Sequence, residues 1–310
     1  MLFRQLEYFV MLAREKHFAR AAAACYVSQP ALSEAIRKLE HELDVPLVHR
    51  GHAFEGLTPE GERLVLWARR ILADHDALKH EVSAIRSGLE GQLRLGVIPA
   101  ASTTAALVIA PFCAEHPLAR VRLQGGLPTS QITERLARFE LDAGIGYASD
   151  GSADGFVTTP LYEEAHVLIA ARDLLGDAEQ MEWGDAVQLP LCLEDPSMQG
   201  RQLLDRLLEE QGLSVRPQVE ANSIAAISAM VGTGRWASIV PGSWMPAFAR
   251  SPSIRAIPVV NPVLSAPIVL MLSEAEPGSV LGRALAQTAS RLALPDVLGQ
   301  ARAAAGSQPR

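Results

Sequence analysis

Residues 18–42 read FARAAAACYVSQPALSEAIRKLEHE, and this stretch decides the fold of the N-terminal end. It is two short amphipathic helices joined by a tight turn. Ala21, Ala22 and Ala24 are small, so a second helix can cross close over the first, and Val27 and Ser28 make the turn. Ser28 is placed to accept a backbone N–H as an N-cap, and Pro30 falls in a first turn, where no intrahelical donor is lost. Leu32, Ile36, Leu39 and Leu43 recur at helical spacing and predict an inward apolar stripe. Gln29, Ser33, Glu34, Arg37 and Lys38 share the opposite face, where such side chains reach base edges and phosphates. An ordinary surface helix pair carries similar charges. What separates this one is the run SQPALS entering a helix that continues to IRKLE, and the expectation is a helix-turn-helix that reads double-stranded DNA.

Residues 1–60 resemble the N-terminal winged helix-turn-helix of LysR-type transcriptional regulators. The matching elements are RQLEYFVMLAREKHFARAA at 4–22, VSQPALSEAIRKLEHELDVPL at 27–47 and LTPEGERL at 57–64. The resemblance extends more loosely to about residue 292. Ala19 stands where the family usually has a Ser or Thr cap, so the first helix of the motif is expected to begin without a side-chain bond. Glu34 puts an acid on the DNA face, where it repels phosphate and can accept from a cytosine amino group. Ser28, Gln29, Pro30, Ser33, Glu34, Arg37 and Lys38 are the candidate DNA contacts. The resemblance adds a wing over residues 47–57, with Arg50 and His52 against the backbone and Glu55 turned away.

The net charge of −7 over 310 residues does not exclude nucleic acid, because only the footprint must be basic. Residues 1–58 hold seven Lys/Arg and seven Asp/Glu, so affinity depends on Arg37, Lys38, Arg50, His49 and His52 being clustered in space. Cys25, Cys113 and Cys192 have neither metal nor disulfide spacing, and an odd number suits a reducing cytoplasm. No segment reads as a signal peptide or a transmembrane span, so neither export nor a membrane partner is expected. No cofactor is expected either.

Thr58-Pro59 is a strong helix start, with Thr as N-cap, Pro at the first position and Glu60 and Glu62 at the positive end. The following segment to residue 89 predicts a helix on the order of 45 Å long. Leu64, Ala68, Ile71, His75, Leu78, Val82, Ile85 and Leu89 step alternately by four and three, the seam of a helix pair. Leu64, Ile71, Leu78, Val82 and Ile85 are therefore the candidate dimer contacts, with His75 as a tolerated seam residue. Such a homodimer carries two reading helices to one interrupted palindrome. The resemblance implies further pairing into tetramers and makes RNA polymerase a candidate partner.

Beyond a hinge at Gly88 and Gly91, strands (92–98, 120–124, 141–147) alternate with helices (102–115, 129–139), which implies a mostly parallel sheet covered on both faces. A second unit follows with strands at 167–171, 189–193, 215–221 and 237–241 and a helix at 224–232. The chain then returns through 268–272 and 280–292 to the first. The expected class is α + α/β: a winged helix-turn-helix (1–58), a linker helix for dimerisation (59–89) and a two-lobed periplasmic-binding-protein-like effector domain (90–294). Lobe I takes about 90–161 and 266–294, and lobe II about 162–265. Residues 295–310 read as a disordered tail.

Ligands of such sheets bind at the carboxyl ends of strands. Ala100, Ser102, Thr103, Thr129, Ser130, Met198, Gln199, Asn222 and Ser223 gather there by this reading. Helix starts rich in hydroxyls and amides suit a small anion of carboxylate type, although any helix cap needs the same residues. The resemblance singles out Thr129, which matches by position an effector-contacting hydroxyl in relatives that sense aromatic acids. Pro99-Ala100-Ala101 lacks the hydroxyl that relatives often have. Arg201 either clamps a carboxylate or pairs with Glu194 or Asp195 at the surface, and the pairing is favoured. Trp236 caps the cleft, lies at an interface or is buried.

Two rivals weaken against these features. A solute-binding protein of the same fold has an export signal and no helix-turn-helix. An enzyme of this fold needs an acid or base in the cleft, and the reading finds none; His116 and His166 read as structural.

Overall fold

In the computed structural model, residues 1–50, 54–148, 155–245 and 254–294 are described. Three helices open the chain: α1 (Phe3–Glu15), α2 (Phe18–Ala24) and α3 (Gln29–Leu43). They close over Leu6, Phe9, Leu12, Ala21, Ala22, Leu32, Ile36 and Leu39, all buried. Two of the expected inward positions face solvent: Ala24 is exposed, and so is Leu43 at the last turn. Burial is complete only where the helices cross, and both residues lie beyond the crossing.

Helix α2 does have a side-chain cap, contrary to the expectation from Ala19. His17 is its N-cap, and its Nδ1 accepts from the backbone N–H of Ala19 at 3.2 Å and of Arg20 at 3.4 Å. An imidazole nitrogen does the work of a hydroxyl two residues earlier than the family position. His17→Ala should therefore destabilise the DNA-binding domain by about 1 kcal/mol, read as a lower midpoint of thermal unfolding.

Strands β1 (Val48–Arg50) and β2 (Phe54–Leu57) pair antiparallel as a short hairpin. Thr58 then starts α4 (Pro59–Ser87), accepting from Gly61 N at 3.0 Å and donating to Pro46 O at 2.7 Å. Gly61 cannot carry a side chain, because a Cβ there would lie 2.1 Å from Leu47 O. Val65 and Ala68 are buried in the helix-turn-helix core, and Leu64, Ile71 and Leu72 pack against it. The seam expected to begin at Leu64 thus spends its first two turns inside its own domain. His75 also faces inward, its ring stacked on Phe3 at 4.2 Å. Trp67, Leu78 and Val82 remain exposed, Leu78 at 60%. The helix ends at Gly88, which with Gly91 adopts a positive φ that side-chain-bearing residues rarely take.

The rest of the chain is a mixed sheet with helices on its faces. β3 (Gly91–Val97), β4 (Ala119–Gln124) and β5 (Ala143–Tyr147) run parallel, with α5 (Ala105–Glu115) and α6 (Thr129–Ala137) as crossovers. β6 (Phe156–Ala171) is followed by α7 (Arg172–Leu175), β7 (Met181–Glu182), α8 (Trp183–Ala186), β8 (Cys192–Glu194), α9 (Gln199–Glu210), β9 (Val219–Ala221), α10 (Ile224–Gly232) and β10 (Ser238–Pro241). β11 (Ile254–Val260), β12 (Ser265–Ser273) and α11 (Val280–Ser290) complete the described elements. The strand order is β4-β3-β5-β12-β6-β11-β7, with β10 also on β6 and with β8 and β9 forming a parallel pair of their own.

β6 is 16 residues long and serves both lobes, where the sequence reading has only 167–171. Its first ten residues pair with β12, and the stretch from His166 onward pairs with β10 and β11. The lobes are therefore two halves of one curled sheet, each over its own apolar core. Polar residues on the buried face, Tyr162, Glu164 and His166, hide the alternation that marks a strand. β11 is absent from the sequence reading because Pro258 argues against a strand; here it lies between β6 and the two-residue β7.

Candidate DNA-reading face and interlobe cleft

The start of α3 is built to be presented. Ser28 Oγ accepts from Ala31 N at 3.4 Å, and Ser28, Gln29, Pro30, Glu34, Arg37 and Lys38 are exposed on one side, with Ser33 half-buried among them. Glu34 and Arg37 pair across one turn at 3.4 Å. Both are more than half exposed, so the pair contributes little stability, but it lowers the repulsion Glu34 would exert on phosphate. Tyr26, in the turn, is 96% exposed at a φ of +55°. It is an aromatic group beside the reading helix that the sequence reading passed over, although a large ring in a turn was the signal. Arg50 ends β1 and His49 is exposed beside it, while His52 lies outside the described residues, as do the side chains of Arg50 and Ile85.

The expected effector positions divide. Thr129, Met198, Gln199 and Ala100 meet where lobe I faces lobe II. Thr129 Oγ1 donates to Gln199 Oε1 at 2.6 Å, a latch between lobes, and accepts from Tyr147 N at 3.3 Å. Ala100, Met198 and Gln199 line a closed pocket with Ile98, Pro99, Pro128, Tyr147, Glu194 and Gly200. Its volume is about 10 Å³, room for no more than about one water molecule. Thr103 Oγ1 bonds Ser243 O at 2.9 Å, another bridge between lobes, and Ser102 Oγ turns back to Ile98 O. Ser130, Asn222 and Ser223 are exposed and are not among the groups lining this pocket.

Glu164, Tyr147 and Tyr162 of the cleft wall were not singled out in the sequence reading, which took His166 as structural and Glu194 as a partner for Arg201. Glu164 is wholly buried and takes Ser243 N at 3.1 Å on Oε1. His166 is 3% exposed in the middle of β6, and its Nε2 would lie 3.7 Å from a Cβ on Gly200. The Glu194 carboxyl sits even closer to Gly200, 2.4 Å from where that Cβ would be. Burial pushes its pKa up to about 7, against the pull of Arg201. Burial and then the nearby Glu194 and Glu164 raise the Tyr147 phenol, and burial and Glu164 raise Tyr162. The available signal was their spacing by two, which puts Tyr162, Glu164 and His166 on one face once β6 is known to be a strand.

Arg201 does not clamp a ligand. It bonds Asp205 at 2.8 Å, Glu220 at 2.9 Å and Glu194 O at 2.9 Å, the surface-pairing alternative with different acidic partners. Trp236 is half-buried in the lobe II packing with Arg235 over its ring; the tryptophan at the lobe junction is Trp244, whose Nε1 donates to Pro99 O. A larger cavity, about 710 Å³, lies elsewhere, between α4 and lobe I. Its two arginines are paired, Arg94 with Asp142 and Arg283 with Glu81, and Asp74, Asp76, Glu274 and Glu276 leave its lining acidic. Among the described residues no cluster of His, Cys, Asp and Glu could hold a metal ion, and no helix is long and apolar enough to cross a membrane.

Two family profiles match the chain: "Bacterial regulatory helix-turn-helix protein, lysR family" over residues 3–62 and "LysR substrate binding domain" over residues 86–293. The chain is similar to the DNA-binding transcriptional dual regulator OxyR of Escherichia coli, 30% identical over 273 residues that cover 84% of this chain and 85% of that protein. It is similar to the hydrogen peroxide-inducible genes activator of Haemophilus influenzae, 30% identical over 297 residues, 93% of this chain and 94% of that one. A solved full-length OxyR variant from Pseudomonas aeruginosa has a TM-score of 0.74 at 25% identity, covering 95% of this chain and 99% of its own. Full-length CbnR in complex with its target DNA, at a TM-score of 0.67 and 24% identity over 94% of this chain and 99% of its own, shares the fold. With an exposed reading helix at one end and a two-lobed sheet at the other, the chain belongs to the LysR family of DNA-binding transcriptional regulators and is not an enzyme.

Proposed function

We propose that this regulator works in the cytoplasm, binds an interrupted palindromic operator as a homodimer, pairs into tetramers, and answers a small effector held between its lobes. The observation that carries the DNA reading is the capped start of α3, with Gln29, Pro30, Glu34, Arg37 and Lys38 all turned to solvent. Ser28 and Ser33 support that face, and the family resemblance makes Arg50 and His52 the wing's candidate contacts to the DNA backbone. Leu78, Val82 and Ile85 of α4, extended by Trp67, form the dimer seam, while Leu64 and Ile71 brace the helix against its own domain. The tetramer and contact with RNA polymerase rest on the family alone.

Effector control works as a population shift. The latch between Thr129 and Gln199 holds the lobes closed, and an effector that favours another lobe arrangement moves the DNA-binding pairs with it. Thr129, Gln199, Met198 and Ala100 carry that contact. A carboxylate-like effector loses its support, since the cleft wall holds buried carboxyls and Arg201 is committed elsewhere.

Peroxide induction, the property in the names of several relatives, finds no support in Cys25 or Cys192 of this chain. Cys25, Cys113 and Cys192 lie in the helix-turn-helix domain, on α5 and on β8, and burial raises the pKa of Cys25 and Cys192. The thiolate is the reactive form, and burial disfavours it.

Arg37→Ala tests the reading face. Operator affinity should fall by roughly 1–3 kcal/mol with altered base preference if Arg37 reads a guanine. If it touches only phosphate, specific and nonspecific binding fall together and the salt dependence becomes shallower. Unchanged affinity in a gel-shift titration removes Arg37 from the interface.

A further inference from the structure

We propose that the interlobe cleft takes a cationic, hydrogen-bond-donating effector, a small organic amine, seated between the carboxyls of Glu194 and Glu164 with the Tyr147 oxygen as a third acceptor. This rests on the reading of the cleft as the effector site and names the chemistry that site accepts.

Three observations converge. Among the described residues, the closed pocket is lined by one carboxyl, Glu194, and by no Lys or Arg. Glu164 lies behind that lining, wholly buried, and the Tyr147 phenol lies within the field of both carboxyls. The one buried guanidinium nearby, Arg201, faces Asp205 and Glu220 instead. Second, the first turn of α9, where an anion would find free N–H groups and a positive dipole, already has the Glu194 carboxyl against Gly200. A ligand carboxylate would meet like charge in a medium with little water to screen it. Third, the Tyr147 hydroxyl is buried at 3% exposure and has no hydrogen-bond partner among the described residues. Buried hydroxyls are nearly always satisfied, and an ammonium donor supplies what this one lacks.

The latch explains how entry is coupled to the fold. Gln199 Oε1 accepts from Thr129 in the closed state. The pocket, at about 10 Å³, has no room for an ammonium group. One that donates to Glu194, Glu164 and Tyr147 therefore enters only if the lobes part and the Thr129–Gln199 bond stretches. Occupancy and opening are then one event. Glu194 must ionise to bind, with the charge of Arg201 acting on it, the Tyr147 phenol in its field and His166 near the same glycine, so amine affinity rises with pH through about 7.

The test uses the full-length protein with a panel of n-butylamine, putrescine and agmatine against butyrate and benzoate, read by thermal shift and calorimetry at pH 8. Glu194→Gln and Tyr147→Phe are run in parallel, so that a folding defect in one does not decide the matter. The expected result is a stabilising shift with at least one amine and none with the acids, weakened about tenfold or more in Glu194→Gln. If an acid shifts the wild type and Gly200→Leu removes that shift, the cleft remains the effector site and the cationic class is overturned. If an amine shifts the wild type and both variants alike, it binds elsewhere, and the proposal falls together with the cleft reading. No shift with any amine overturns the cationic class.

Discussion

Leu78→Asp should leave each subunit folded and abolish both dimer and operator binding. Leu78 is 60% exposed in the single chain, so a carboxylate there costs the isolated subunit almost nothing. In the proposed seam the same position is covered twice, once from each subunit by symmetry. The loss of about 1.5–3 kcal/mol of apolar burial per side is compounded by two carboxylates stripped of water without partners. Dimer dissociation should rise by roughly a thousandfold or more. Operator affinity should collapse with it, because one reading helix addresses only a half-site. Sedimentation at several concentrations and a thermal melt separate the two effects. A variant that still sediments as a dimer would remove α4 as the seam. Ile71→Asp is the poorer experiment. Ile71 packs on the helix-turn-helix core, and a charge there unfolds the domain it was meant to report on.

Glu194→Gln should stabilise the protein at pH 8 and change little at pH 4. The unfolded chain holds this carboxyl at its ordinary 4.5, and burial moves it to about 7 in the folded state. Between those values the folded protein keeps a proton that the unfolded chain releases. Wild-type stability is therefore full below about 4.5, falls as pH rises through the interval and levels off above about 7. The separation of the two values corresponds to about 3 kcal/mol. The amide keeps the shape and does not titrate, so the variant loses that slope. Denaturant unfolding at pH 4, 6 and 8 checks it; parallel curves for the two proteins would mean that Glu194 is solvated in the folded state.

The helix-turn-helix was legible because its determinants are local. A cap at Ser28, a proline at the start and the spacing of Leu32, Ile36 and Leu39 are short-range facts, and so is the start of α4 at Thr58-Pro59. The length of α4 followed from the absence of breakers. Period and propensity are written along the chain and need no partner to be read.

What only the tertiary structure decided concerns faces. The four-three stripe of α4 says that one side is apolar, not what covers it, and Leu64, Ala68 and His75 are covered by their own domain. Ala19 promised an uncapped helix, yet His17 reaches the same N–H groups from outside the expected position. The cleft residues were hidden for a related reason. Glu164, His166 and Glu194 read as surface or structural polar groups until β6 and the first turn of α9 brought them to one wall. Sequence alone established a DNA-binding regulator with a two-lobed C-terminal domain, because helix periodicity, caps and family motifs are local patterns. The sign of charge inside that domain was decided by the fold, because the field at a buried point is a sum over groups from distant parts of the chain.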